Sequence, residues 1–194
     1  MEDEFVSREK KVLSIIEQEI KDGEEMAAAV RHIAEKLLFT EKGYDAADVR
    51  KNVVFDVTLG TETVQSGVDF LISLDSRNAM IIKCAAGSLS SRERQVVAAA
   101  RVLGGVPLAA VMDPLSAVVL DSATGKTIGE GFEAIPTKKQ LSSLIAGREI
   151  KPLAPEKLER EKRVLLAFDA IACCVPQGAD GGVALDRDDP CSHG

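Results

Sequence analysis

Between residue 38 and residue 53 the spacing of apolar residues switches from helical to alternating, and this switch demands a fold that carries both classes of element. Upstream, residues 7–21 set Val12, Ile15, Ile16 and Ile20 at helical spacing, with Ser7 as a candidate N-cap. Asp22-Gly23 is expected to stop that helix, and residues 24–38 form a second one with Met26, Val30, Ile33 and Leu37 on one face. Glu41-Lys42-Gly43-Tyr44 turns the chain. Downstream, residues 53–59, 68–74 and 79–84 alternate or run apolar and are rich in β-branched side chains, which predicts three strands. Asp75-Ser76-Arg77-Asn78 has hairpin-turn composition between the last two. Ser90 to Leu103 reads as a helix ended by Gly104-Gly105. Residues 107–112 and 117–120 read as further strands, a turn at 122–126 leads to a short strand near Ile128, and helices are expected at 137–146 and 156–174. The order argues for an α/β layered domain in which the third strand, the 90–103 helix and the next strand make a right-handed parallel crossover.

Composition narrows the function classes. The 194 residues suffice for roughly one domain with a real core. Apolar stretches are interrupted by charge well before the roughly 18 residues of a membrane span, and Met1-Glu2-Asp3-Glu4 has no secretory character. The expectation is a cytoplasmic protein with no membrane partner. Net charge is −7, against a strongly basic nucleic-acid binder, and with no Trp and one Tyr a base-stacking platform is not expected. The acid is unevenly placed: residues 1–50 hold 8 basic and 13 acidic groups, whereas residues 51–150 hold 10 of each. A basic face within the middle stays open. None of the four cysteines forms a CxxC pair, and a histidine mechanism would rest on His32, because His193 lies in the tail. Ser122-Ala123-Thr124-Gly125-Lys126-Thr127 lacks the first glycine of a phosphate-binding loop and reads as a β-turn, so no nucleotide is expected.

Three features rise above this background: Asp69 inside an apolar strand, Lys83 near the end of the next strand, and the polar helix start Arg92-Glu93-Arg94-Gln95. A hairpin brings Asp69 and Lys83 towards one end, near the crossover. A carboxylate beside a lysine there suits a divalent cation, with the ammonium orienting the attacking water. The segments AEKLLFTEKGY (34–44), VVFDV (53–57), GVDFLISL (67–74), MIIKCA (80–85) and RERQVVAAAR (92–101), in this order, resemble the PD-(D/E)xK nuclease superfamily. The nearer likeness is to the N-terminal domain of type I restriction enzyme R subunits, over about residues 20–122.

The resemblance implies a restriction-endonuclease-like three-layer fold, a central mixed sheet flanked by helices, acting on DNA with Mg²⁺. It makes Asp69 the metal-binding aspartate, Lys83 the lysine that positions the nucleophile, Gln95 the helix glutamine and Glu35 the acid on the preceding helix. The Ile82 carbonyl would complete the metal shell, and Arg92, Arg94 and Arg101 would meet DNA. The second metal carboxylate belongs two residues before the lysine, where this chain has Ile81. Glu93 is the acid that could replace it from the following helix. The substitution implies weakened or absent cleavage. The alternative is a non-catalytic module on the same fold, binding nucleic acid or dimerising through the amphipathic helices 7–21 and 156–174.

Plainer roles fit the same residues. Asp69 fits a half-exposed strand, Lys83 a strand-end lysine, Glu93 a solvated helix turn, Glu35 a surface pair with Arg31 and Lys36, and the run 159–163 a solvated helix face. The expected organisation is a helix over 1–22, a layered domain over 23–150, a helix over 151–175 and a disordered tail over 176–194. No motor or phosphate-binding loop of a full R subunit fits into this length.

Overall fold

The computed structural model describes residues 2–86, 89–148 and 153–173. The tail expected to be disordered lies outside them. Residues 2–36 form one helix, α1 (Glu2–Lys36), where the sequence predicts two. Gly23 does not break it. A glycine in a helix interior costs only about 1 kcal/mol relative to alanine, less than the cost of ending one helix and nucleating another. The helix widens into a π turn over Leu37–Glu41, closed by Lys42 N donating to Leu37 O at 2.9 Å. Both Leu37 and Leu38 are buried there. Gly43, with φ +71°, reverses the chain, and Tyr44 tucks in with its hydroxyl donating to Pro136 O at 2.8 Å.

Six strands follow in sequence order within a single sheet: β1 (Val49–Leu59), β2 (Glu62–Leu74), β3 (Arg77–Cys84), β4 (Leu108–Met112), β5 (Ala117–Asp121) and β6 (Lys126–Glu130). Neighbours are antiparallel except β3 and β4, which are parallel and joined through helix α2 (Leu89–Val102), the crossover that the sequence predicts. β1 and β2 start earlier than their apolar runs. Polar stretches 50–52 and 62–66 extend the hairpin through backbone pairing, which hydrophobic pattern does not report. The β2–β3 turn is tighter than its composition suggests: Asp75 and Ser76 alone carry positive φ, and Leu74 already pairs with Arg77. The 122–126 segment is a hairpin turn, held by Asp121 Oδ1 accepting from Thr124 N at 2.8 Å, with Gly125 at φ +72°.

Helices cover both faces of this mixed sheet. On one face the end of α1 and helix α3 (Lys138–Ile145) close a core that includes Val30, Ala34, Phe70, Ile82, Leu141 and Ile145. On the other, α2 and helix α4 (Pro155–Cys173) cover Leu71, Ile81, Val111, Leu120 and their neighbours, with Leu165 of α4 fully buried. Val96 to Ala100 of α2 are all buried, and their small size lets the helix sit close to the sheet. Thr137 caps α3 in a reciprocal box with Gln140, and Pro155 opens α4 at the first helical position. The architecture is an α/β fold with a mixed sheet flanked by four helices.

Candidate functional site

The residues singled out in the sequence gather around the point where β2 leaves β3. Pairing between these strands ends at Phe70 with Ile82, so Asp69 and Lys83 are the first residues beyond the shared ladder. Asp69 turns to the backbone: its Oδ2 accepts from Cys84 N at 2.7 Å. Its Oδ1 accepts from Arg31 Nη1 of α1 at 3.3 Å. Both carboxylate oxygens thus have protein partners, and the aspartate side chain is 13% exposed. Lys83 does not pair with it. Lys83 Nζ donates to the Gly67 carbonyl at 2.9 Å, across the mouth of the diverging hairpin. Cys84, between these charges, is a buried free thiol, and its pKa is pushed up by burial and then by the Asp69 carboxylate. A thiol held protonated is no nucleophile.

The remaining predicted residues serve other contacts. Glu35, one turn beyond Arg31, pairs with Lys51 at 2.9 Å, and Lys51 lies over the Phe39 ring. Ile81 is fully buried in the core beneath α2 and α4. Glu93 is half-buried and makes no hydrogen bond or ion pair with Asp69. Ile82 is paired on both sides, with Phe70 and Ala110. Among the described residues no three His, Cys, Asp or Glu side chains converge to hold a metal ion. A hard divalent cation requires several converging oxygen ligands. Asp69 offers one carboxylate, already engaged, so these side chains do not fit Mg²⁺ as arranged.

Gln95 and the three arginines belong to a different assembly. Gln95 is buried and bridges helices: its Nε2 donates to Asp169 Oδ1 of α4 at 3.0 Å, and its Oε1 accepts from Arg92 Nη1 at 3.1 Å. Arg94 Nη1 donates to Glu161 Oε2 at 2.5 Å, and Arg101 Nη1 donates to Oε1 of the same carboxylate at 2.7 Å. Arg101 also donates to the carbonyls of Ser122 and Ala123. Burial alone would raise the Glu161 pKa, but its bonds to the two arginines outweigh this and hold it below the ordinary value. One carboxylate of α4 thus holds two of the three arginines, while Arg92 is exposed and meets the neutral Gln95.

Glu161 and Asp169 are the residues that sequence reasoning missed. The run 159–163 reads as a solvated face, yet Glu161 within it is only 5% exposed. The available signal was its spacing: Glu161, Leu165 and Asp169 recur every four positions and mark the inward stripe of α4. The sequence suggests Glu35 as the partner of Arg31, which instead reaches Asp69, 38 positions along the chain, because the intervening segment folds the strand beneath the helix. No family model matches this chain, and no curated protein and no solved structure is similar to it.

Proposed function

We propose that this chain is a non-catalytic interaction module whose α/β framework is of the restriction-endonuclease type. Support for that framework lies in the order of helix, three strands, crossover helix and parallel strand, with Asp69 at the point where two strands part. The resemblance to the N-terminal domain of type I restriction enzyme R subunits rests on the same order and motifs.

The observation that carries the non-catalytic reading is the commitment of the would-be catalytic pair to structure. Asp69 is satisfied by Arg31 and the Cys84 amide, and Lys83 by the Gly67 carbonyl. Ile81 is core, so a second acid has no place at that position. The DNA-directed reading is weakened as well, because Glu161 engages Arg94 and Arg101 and only Arg92 of the three arginines is left without an acidic partner. Affinity for the phosphate backbone depends on cations that are free to release counterions.

The test is incubation of the protein with supercoiled plasmid across a range of Mg²⁺ and Mn²⁺, together with anisotropy of a labelled duplex at 50 mM salt. The expected results are no nicking and no salt-dependent binding. Metal-dependent nicking that Asp69→Ala abolishes would overturn the reading in favour of a nuclease. Binding without nicking would move the partner from protein to nucleic acid.

A further inference from the structure

Helix α1 reaches far beyond the domain that anchors it. Its 35 residues span about 52 Å at 1.5 Å per residue. Among the described side chains of α1 the first buried one is Val30, and Ile15 and Met26 are 50% and 45% exposed. A polar-faced helix of this length gains little from its own propensity and normally needs a packed face to persist. The sequence supplies such a face in heptads. Val6, Leu13, Ile20, Ala27 and Ala34 recur every seven residues, and Ile16, Gly23, Val30 and Leu37 stand three residues after four of them. The C-terminal members of this stripe, Val30, Ala34 and Leu37, are buried in the domain core. In the sequence, Val6, Leu13, Ile16 and Ile20 carry the same heptad toward the N-terminus.

We propose that this arm pairs with the arm of a second copy of the same chain, antiparallel, to form a two-fold symmetric dimer. The proposal rests on the interaction-module reading and names the partner.

Three observations commit it to that occupant and that direction. The first is charge. Arg8, Lys10 and Lys11 form a basic block within 8–11, while Glu17, Glu19, Asp22, Glu24 and Glu25 make 17–25 acidic. In a parallel pair the acidic block meets its own copy. In an antiparallel pair centred between Ser14 and Ile15, Lys10 of each chain lies beside Glu17 of the other, twice by symmetry. The second is apolar register. The same centre sets Leu13 against Ile16 in the middle, Val6 against Gly23 on either side, and Phe5 near Met26 at the ends. The third is length. This centre stands 15 residues, about 22 Å of helix, before Val30, the first buried side chain described in α1, which holds the two domains apart. The apolar stripe of α4 does not compete for this role, because Leu165 faces the chain's own sheet.

Sedimentation equilibrium of the full chain between about 1 and 100 µM tests the proposal. The expected species has twice the 20.7 kDa chain mass. Lys10→Glu and Glu17→Lys should each weaken the dimer at least tenfold by setting like charges together, and the double variant K10E/E17K should restore it. Far-ultraviolet circular dichroism and thermal unfolding of each variant separate loss of the dimer from loss of folding. A monomer throughout the range overturns the proposal, as does a dimer that ignores both single substitutions. A dimer weakened by each single variant and not rescued by the double refutes the antiparallel register. Plasmid nicking bears on the non-catalytic reading alone, so the two can fail separately.

Discussion

Replacing Glu161 with alanine should loosen the second helical layer as a unit. The carboxylate accepts charge-assisted bonds from Arg94 and Arg101, and it is almost wholly removed from solvent. Hydrogen bonds to charged groups contribute about 1.5–3 kcal/mol each, so the pair sets an upper bound near 6 kcal/mol. The real loss is smaller. Arg94 is 46% exposed and turns to water at little cost, and Arg101 keeps the Ser122 and Ala123 carbonyls. The alanine variant also escapes the cost of burying the carboxylate. A net loss of about 2 kcal/mol follows, which for a chain of this size lowers the melting temperature by roughly 4–8 °C. Arg101→Ala should cost more, about 3 kcal/mol, because it leaves a buried carboxylate with one exposed partner. The sign with pH is fixed by the lowered pKa of Glu161. Its stabilisation is fully present above the ordinary glutamate value of 4.5 and is lost as pH falls through the lower folded value. The gap between wild type and Glu161→Gln should therefore close in acid. Urea unfolding at pH 7 and at pH 3, with the four-variant cycle over Glu161 and Arg101, measures both. A loss below about 0.5 kcal/mol for each single variant, or zero coupling between them, would refute the account of how α4 is held.

Other outcomes follow from the same structure. Ile81→Glu restores the acid that the nuclease pattern asks for, but it places a carboxylate in the core. We expect a loss of several kcal/mol by thermal unfolding and no Mg²⁺-dependent cleavage; a stable, cleaving variant would reverse that. Gly23→Ala should raise the helix content and stabilise α1 by about 1 kcal/mol, since nothing lies within 4 Å of the added methyl; a fall in ellipticity would mean that the helix breaks there. Tyr44→Phe removes the buried bond to Pro136 O and should cost about 1 kcal/mol in urea unfolding, tying the turn after α1 to the segment before α3.

The elements were legible wherever burial wrote a period into the chain. The inner residues of β2, β3 and β4 announce themselves, and so does α2. The polar halves of the β1–β2 hairpin do not, because backbone pairing holds them whatever their side chains. Gly23 looked like a boundary because a local penalty is visible in sequence and the cooperativity that overrides it is not. The site followed the same rule. Asp69 and Lys83 stood out as charges within apolar strands, but their partners are a helix arginine 38 residues away and a backbone carbonyl. Neither leaves a mark in local pattern. Glu161 was hidden by its neighbours Glu159, Arg160 and Arg163, which are exposed as charged residues usually are.

The position of α4 in the chain has a consequence for how the protein is made. The second layer needs Leu165 and Glu161 over strands laid down some hundred residues earlier. During synthesis the sheet face carrying Leu71, Ile81 and Leu120 stays partly bare until residue 165 has left the ribosome, which at about 5–20 residues per second is a wait of seconds. Nascent chains stalled or cut before α4 would present that face to chaperones and proteases. Damage to α4 should therefore lower the amount of protein in the cell more than it alters the properties of the molecules that survive.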